Sequence, residues 1–375
     1  MRDERLPRAY GMVPVRLLLQ RRFKEPSSLG IVPDNLLKLK PMVLRRKVRK
    51  ITKSSSFNGN KKYALSHPSA WPIIGHLPLL VSPSDLIGHL PHLLTNHVFA
   101  TRPLTIFGKL MAYDHSVMGF TPFGTYWREI RKIATVELFS ARRIGMLKPV
   151  RRSGAIKDID TTIKALALTQ LVAGVDSMAN TMVWVLALLL DNPEMLAKAQ
   201  IELDTNVGKD RLVEESDIPN LKYLQALLKE TLRMYPVGPL LVPHEAMEDC
   251  HVAGYFVPRG TGLFINAWTI QRDPNVWAEP DRFLPERFLT TNADMDVKGQ
   301  SYELLPFGSG RRSCPGVGLA LQVMHLTLAR ILQAFELKTR SNVGVDLEEC
   351  SGILLSMMHP LQVLMTPRLP SELYD

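Results

Sequence analysis

Cysteine is scarce in this chain, with three in 375 residues. They stand at positions 250, 314 and 350, too few and too widely spaced for a disulfide framework or a structural zinc cluster. Cys250 and Cys350 have no partners at metal-ligand spacing and read as ordinary residues, and so few cysteines fit a reducing compartment. Aromatic residues make up 7% and do not interleave with the basic ones, so no nucleic-acid platform is expected. Internal repeats, low-complexity tracts and a convincing Gly-rich nucleotide fingerprint are also missing. Acidic residues are depleted at one end. Residues 1–62 hold 17 Lys and Arg against 4 Asp and Glu, or +13, while the whole chain carries +10 and the remainder is therefore −3. Apolar pieces there, such as VPVRLLL, are broken by charge and reach no membrane-spanning length. That segment reads as a disordered or misassigned basic extension, an organellar targeting peptide, or a contact with anionic membrane or nucleic acid.

Beyond the extension, residues 63–375 are expected to form a single domain, because 46% apolar residues can bury a sizeable core. LKYLQALLKETLRMY reads as helix, CHVAGYFVPRGTGLFINAWTI as turns and strands, and prolines punctuate residues 236–306 heavily. A mainly α fold with a small β part follows. The longest apolar run, residues 166–190, is long enough for a membrane span. Against that reading, Thr169, Gln170, Ala173, Gly174, Ser177, Asn180 and Thr181 form a small or polar stripe at helical period, with Asp176 at its edge. A buried helix facing a polar cavity would carry such a stripe.

Residues 307–316 read FGSGRRSCPG. Gly310 and Gly316 are expected to let the backbone turn tightly and approach a flat macrocycle. Phe307 can pack beside a sulfur, and Arg312 can pair a propionate. The apolar helix predicted from about Gly316 to Phe335 aims its positive end at Cys314, which favours the thiolate. A thiolate axial ligand pushes electron density into a haem iron. The bland alternative is a buried structural cysteine after a Gly-rich turn.

This stretch resembles the haem-binding loop of the cytochrome P450 monooxygenases, plant microsomal branch. Other segments follow in the family's order. Glu230 and Arg233 in LKETLRMYP share a helix face, and by themselves they read equally as a solvated salt bridge. With Arg287 in PERF they resemble the family's Glu/Arg/Arg cluster, which holds the haem core. AGVDS at 173–177 resembles the distal oxygen-activation motif: Gly174 opens the helix for dioxygen, while Asp176 and Ser177 relay protons. Serine stands where threonine is usual. It lacks the methyl that stiffens the rotamer. Trp127 and Arg131 resemble the Trp-x-x-x-Arg helix that reaches the propionates, although WREIR alone also suits a surface amphipathic helix. FATRP, GFTPFGTYW, TPRLPSELY and WPIIGHL (71–77) are similar to plant members. His244 falls where many relatives have a haem-contacting arginine, and a backbone-bonded loop histidine is its alternative.

The resemblance implies a P450-like haem-thiolate fold that is internally shortened. Between Arg131 and Asp176 lie 44 residues where the family places helices D to H, including the pocket roof. A fragment at 63–152 would carry the Trp-x-x-x-Arg helix, and 153–375 the distal helix and haem-binding core. The family's N-terminal membrane anchor is not expected here. The implied function is insertion of one oxygen atom from O2 into a lipophilic small molecule, a plant secondary metabolite. Haem b is bound axially by Cys314 and contacted by Trp127, Arg131, Phe307, Gly310, Arg312 and Gly316. NADPH acts indirectly through NADPH-cytochrome P450 reductase, received by Arg128, Lys132 and Arg311, and the family's location is the endoplasmic reticulum membrane. Apolar positions at 237–242, 353–358 and 113–123, with Val172 and Val175, correspond to the pocket lining. The alternative is an inactive remnant whose pocket does not assemble.

Overall fold

The computed structural model describes residues 83–138, 159–252, 255–340, 344–350, 352 and 354–374. The basic extension and the WPIIGHL segment lie outside the described residues.

Helices dominate, in line with the sequence. They are α1 (Pro83–Thr95), α2 (Ile106–Met111), α3 (Thr125–Lys132), α4 (Ile159–Thr169), α5 (Asp176–Asp191), α6 (Pro193–Asn206), α7 (Lys222–Met234), α8 (Ala267–Ile270) and α9 (Val317–Ala334). α3 runs on as a π-helical turn, Ile133–Leu138, and a second such turn, Gln170–Val175, joins α4 to α5. Among the described residues eight short strands pair antiparallel in four two-stranded sheets, the longest joining β1 (Phe335–Thr339) to β2 (Val363–Pro367).

Local chemistry explains several boundaries. Pro193 occupies the first turn of α6, where its missing N–H costs nothing. The start of α7 is capped from a distance: the Glu202 carboxylate accepts from the Tyr223 and Leu224 N–H groups at 2.7 and 2.9 Å. An acid at a helix N-terminus satisfies orphan donors and opposes the dipole.

The largest core cluster joins α5, α6, α7 and α9 through Trp184, Leu188, Leu189, Leu203, Leu224, Leu227, Leu328 and Leu332. Trp184 stacks on Tyr235 at 3.9 Å and donates its indole N–H to the Leu355 carbonyl. Two helical stretches, Ile163–Asp191 and Val317–Ala334, are long and apolar enough to cross a membrane. The C-terminal half of the first, Trp184 to Leu190, is nevertheless buried within the protein core. Fully burying one such side chain contributes about 1.5–3 kcal/mol, so this half of the stretch is held by packing against protein.

Candidate functional site

The loop bearing Cys314 is seated on α1 and on the segment before α3. Gly310 has φ +65°, and a Cβ there would meet the Leu94 carbonyl oxygen at 2.1 Å. Glycine is therefore required on both conformational and spatial grounds. Gly316, in contrast, caps α9 at φ −89°, so the tight-turn role expected of both glycines belongs to Gly310. Arg311 donates to the Thr95 carbonyl at 3.0 Å, and Arg312 donates to the carbonyls of Ala100, Met118 and Thr121. The Cys314 N–H donates to the Phe307 carbonyl at 2.9 Å. Phe307 itself packs against the core cluster that contains Leu228, Trp277 and Met324. Burial pushes the Cys314 thiol up, while the Gly316 N–H and the Arg131 charge pull it down. The bare chain thus holds a thiol, and a coordinating metal displaces that proton.

Cations collect beside this loop. Arg312 sits 4.2 Å from the Trp127 ring centroid and Arg131 5.5 Å, while Arg131 also donates to the Ser313 hydroxyl at 3.3 Å. Arg102 joins them, buried, its Nη1 donating to the carbonyls of Val242 and Pro243 at 2.7 and 2.8 Å. Burial foremost, and then mutual repulsion, holds Arg102 down to about 10 and Arg312 down to about 9. Among the described residues no carboxylate pairs with any of the three, and Arg102 Nε is buried without a hydrogen-bond partner. Two guanidiniums over one indole, with a third repelling both and a sulfur donor nearby, suit a metal-bearing ring with two carboxylates on one edge. The residues present fit haem.

Sequence reasoning missed Arg102. It lies in FATRP, and only the fold brings it to Arg312. His244 follows its plainer reading: its ring Nδ1 lies 2.7 Å from the Phe99 carbonyl, and burial, followed by Arg102 and Arg312, pushes its pKa down to about 3.

Glu230, Arg233 and Arg287 do not form a solvated surface pair. Arg233 Nε and Nη2 donate to the two Glu230 oxygens at 2.7 and 2.8 Å, and Arg287 Nε reaches Glu230 at 3.1 Å. Every charge is fully or nearly buried. Remaining donors are satisfied by the carbonyls of Gln271, Pro280 and Ala278. Trp277 lies against both arginines. A buried network is tolerated only when satisfied in this way.

On the distal side, the helical stripe expected across residues 169–181 is interrupted, because Gln170–Val175 is π-helical. Such single-turn bulges occur frequently at functional sites. Ser177 donates its hydroxyl to the Ala173 carbonyl, Gly174 lies within the bulge, and Asp176 is exposed. Leu171 is 65% exposed and Val175 46%. An open cavity of about 720 Å³ lies between α2 and α3, lined partly by His115, Thr121, Phe123 and Trp127. It matches the expected lining only over residues 114–123. Val172 and Ile353 have no described side chain. Arg128, Lys132 and Arg311 are exposed and border a depression of about 360 Å³ beside Arg131.

A helix-rich body with a cysteine loop set among arginines that no carboxylate of the described residues pairs suits a haem-thiolate protein. The chain belongs to the cytochrome P450 family of monooxygenases: that family's model matches residues 146–365. Xanthotoxin 5-hydroxylase of Arabidopsis thaliana is 34% identical, over 81% of this chain and 93% of its own length. Vinorine hydroxylase of Rauvolfia serpentina is 33% identical, over 89% and 97%. A flavonoid-6-hydroxylase of Ocimum basilicum is 52% identical, but over 58% of this chain and 41% of its own. A solved zebrafish cytochrome P450 with abiraterone superposes with a TM-score of 0.65 and 26% identity, covering 75% of this chain and 92% of that one. The first alignment runs over 486 positions, more than the 375 residues of this chain, so the relative carries stretches with no counterpart here.

Proposed function

We propose that this chain inserts one oxygen atom from O2 into a lipophilic small molecule of the plant secondary-metabolite class. Electrons come from NADPH through a separate flavoprotein reductase. The observation that carries this reading is the Cys314 sulfur in a loop fixed by Arg312, which with Arg102 and Arg131 is neutralised by no acid among the described residues.

Haem b, when bound, supplies the iron that activates dioxygen. Cys314 Sγ would hold the iron, its charge favoured by the Gly316 N–H and by Arg131. Arg102, Arg131, Arg312 and Trp127 would hold the propionates, while Phe307, Gly310 and Gly316 shape the cysteine loop. Asp176, open to solvent, takes protons from water and hands them to the Ser177 hydroxyl, which turns from the Ala173 carbonyl inside the bulge that Gly174 permits. Glu230, Arg233 and Arg287 hold the core and do no chemistry. Arg128, Lys132 and Arg311 receive an acidic reductase surface, and the working location is the endoplasmic reticulum membrane. The names of the relatives, hydroxylases of xanthotoxin, vinorine and flavonoids, support the substrate class.

A second reading, an inactive remnant, is favoured by the exposure of Leu171 and Val175, because water reaching a distal site weakens control of reactive intermediates. The carbon monoxide difference spectrum of the dithionite-reduced chain decides between them. A thiolate-type Soret band that disappears in Cys314→Ser supports the assembled site, and its absence from the native chain supports the remnant.

A further inference from the structure

Gln271 follows α8 and is fully buried. Three of the four hydrogen-bonding positions of its side-chain amide are used. Its Nε2 donates to the Leu232 carbonyl at 3.0 Å and to the Arg233 carbonyl at 2.8 Å, and its Oε1 accepts the Leu305 N–H at 2.7 Å. The link to Arg233 is reciprocal, since Arg233 Nη1 donates to the Gln271 main-chain carbonyl at 2.8 Å. Leu232 and Arg233 lie in the last turn of α7, where carbonyls have no partner within the helix. Leu305 is the second residue before Phe307. Its carbonyl accepts the Gly308 N–H at 3.0 Å, and the Phe307 carbonyl accepts the Cys314 N–H at 2.9 Å.

Side-chain bonds to Glu230 join Arg233 and Arg287 to each other, yet none of them reaches the cysteine loop. Gln271 supplies that connection. One amide spans from the carbonyls ending α7 to the first backbone donor of the loop segment, in a core where no water competes. Methionine would match its volume and length but could make none of the three bonds. The three main-chain groups would then be left buried and unsatisfied.

We propose that Gln271 is a positioning residue for Cys314: its amide fixes Leu305, and through the Leu305–Gly308 and Phe307–Cys314 bonds it sets where the sulfur stands. The inference rests on the haem-thiolate reading for its consequence, though not for its test. The first measurement uses the full chain without haem, with Cys250 and Cys350 changed to serine, and follows alkylation of Cys314 by iodoacetamide under native conditions. Gln271→Met is expected to raise the labelling rate about fivefold or more, as expected for a loop that has lost a buried hydrogen-bonded anchor. Gln271→His keeps one donor and one acceptor, and should fall between Gln271→Met and the native chain. The second measurement adds haem and carbon monoxide: the fraction of reduced haem with a thiolate-type band should drop at least threefold in Gln271→Met and recover in part in Gln271→His. Unchanged labelling in both variants, with only the thermal transition lowered, would overturn the proposal and leave Gln271 a purely structural residue. If Gln271→Met does not fold, Gln271→His carries the same test, and native-rate labelling there overturns it equally. A native chain that lacks the thiolate band sinks the haem-thiolate reading instead, while the alkylation result still decides the role of Gln271.

Discussion

Arg312 lies over Trp127 with 4.2 Å between its guanidinium carbon and the indole centroid, and the same guanidinium holds three carbonyls from two other segments. Lysine has neither the fork nor the flat face needed for this. Arg312→Lys is expected to weaken haem binding about ten- to a hundredfold, the loss of one charge-assisted bond of roughly 1.5–3 kcal/mol. Titrating the apoprotein with haem and following the Soret change would show it, and unaltered affinity would remove Arg312 from the propionate contacts.

Glu230→Gln should be more severe. It leaves Arg233 and Arg287 buried without a counter-charge, and breaking one side of a buried ion pair costs about 3–5 kcal/mol. Urea unfolding, or the loss of soluble protein, measures that cost. A decrease below about 1 kcal/mol would mean that the cluster relaxes to admit water.

Two glycines eight residues apart should respond with opposite signs. Gly310→Ala forces a side chain into a left-handed position against the Leu94 carbonyl, so the loop shifts and stability falls by more than about 1 kcal/mol. Gly318 lies in α9 with open space where a Cβ would go, and Gly318→Ala should stabilise by roughly 0.5–1 kcal/mol. Thermal melts of the two variants against the native chain test the contrast.

His244 sets an acid limit for the apoprotein. Burial foremost, and then Arg102, keeps the folded imidazole neutral down to about pH 3, while the unfolded one protonates near its ordinary 6.5. The folded state binds the proton less readily, so stability is full above about pH 6.5 and declines as pH drops towards 3. His325, pushed down to about 4 chiefly by burial, adds to the same decline. Changing His244 to glutamine, which retains a donor for the Phe99 carbonyl, should flatten the curve by about 1.4 kcal/mol per pH unit in that window. Denaturant midpoints collected from pH 7 to 4 provide the comparison.

Ser177→Ala removes the hydroxyl beside the bulge. Proton delivery by a placed side chain contributes on the order of a hundredfold or more, so peroxide released per NADPH consumed should rise severalfold in a reductase-coupled assay. Ser177→Thr keeps the hydroxyl and adds a methyl that restricts its rotation, and should release no more peroxide than the native chain. Equal release from all three would take Ser177 out of the relay.

The candidate ligand and its loop were legible because a ten-residue run carries them, and α7 and α9 were legible from their apolar periodicity. Gln271 and Arg102 were not. In the sequence, one is a polar residue before Arg-Asp-Pro and the other a cation in a loop, and nothing local marks either as buried. Nor did the helical stripe near Gly174 betray its π-helical turn, since a one-residue change in hydrogen-bond register leaves composition unchanged.

By itself, the sequence determined which atoms are on offer: a thiol at 314, hydroxyl and carboxyl at 177 and 176, and Glu230 and Arg233 one helical turn apart. Those facts depend on residue identity and short spacing, which the backbone translates directly into neighbouring positions. Tertiary structure alone decided that Arg131 and Arg312 lie over Trp127 with Arg102 near enough to repel them, that the Glu230 cluster is dry, and that Leu171 and Val175 face water. Burial and charge proximity are properties of segments far apart in the chain, and they arise only once those segments pack against one another.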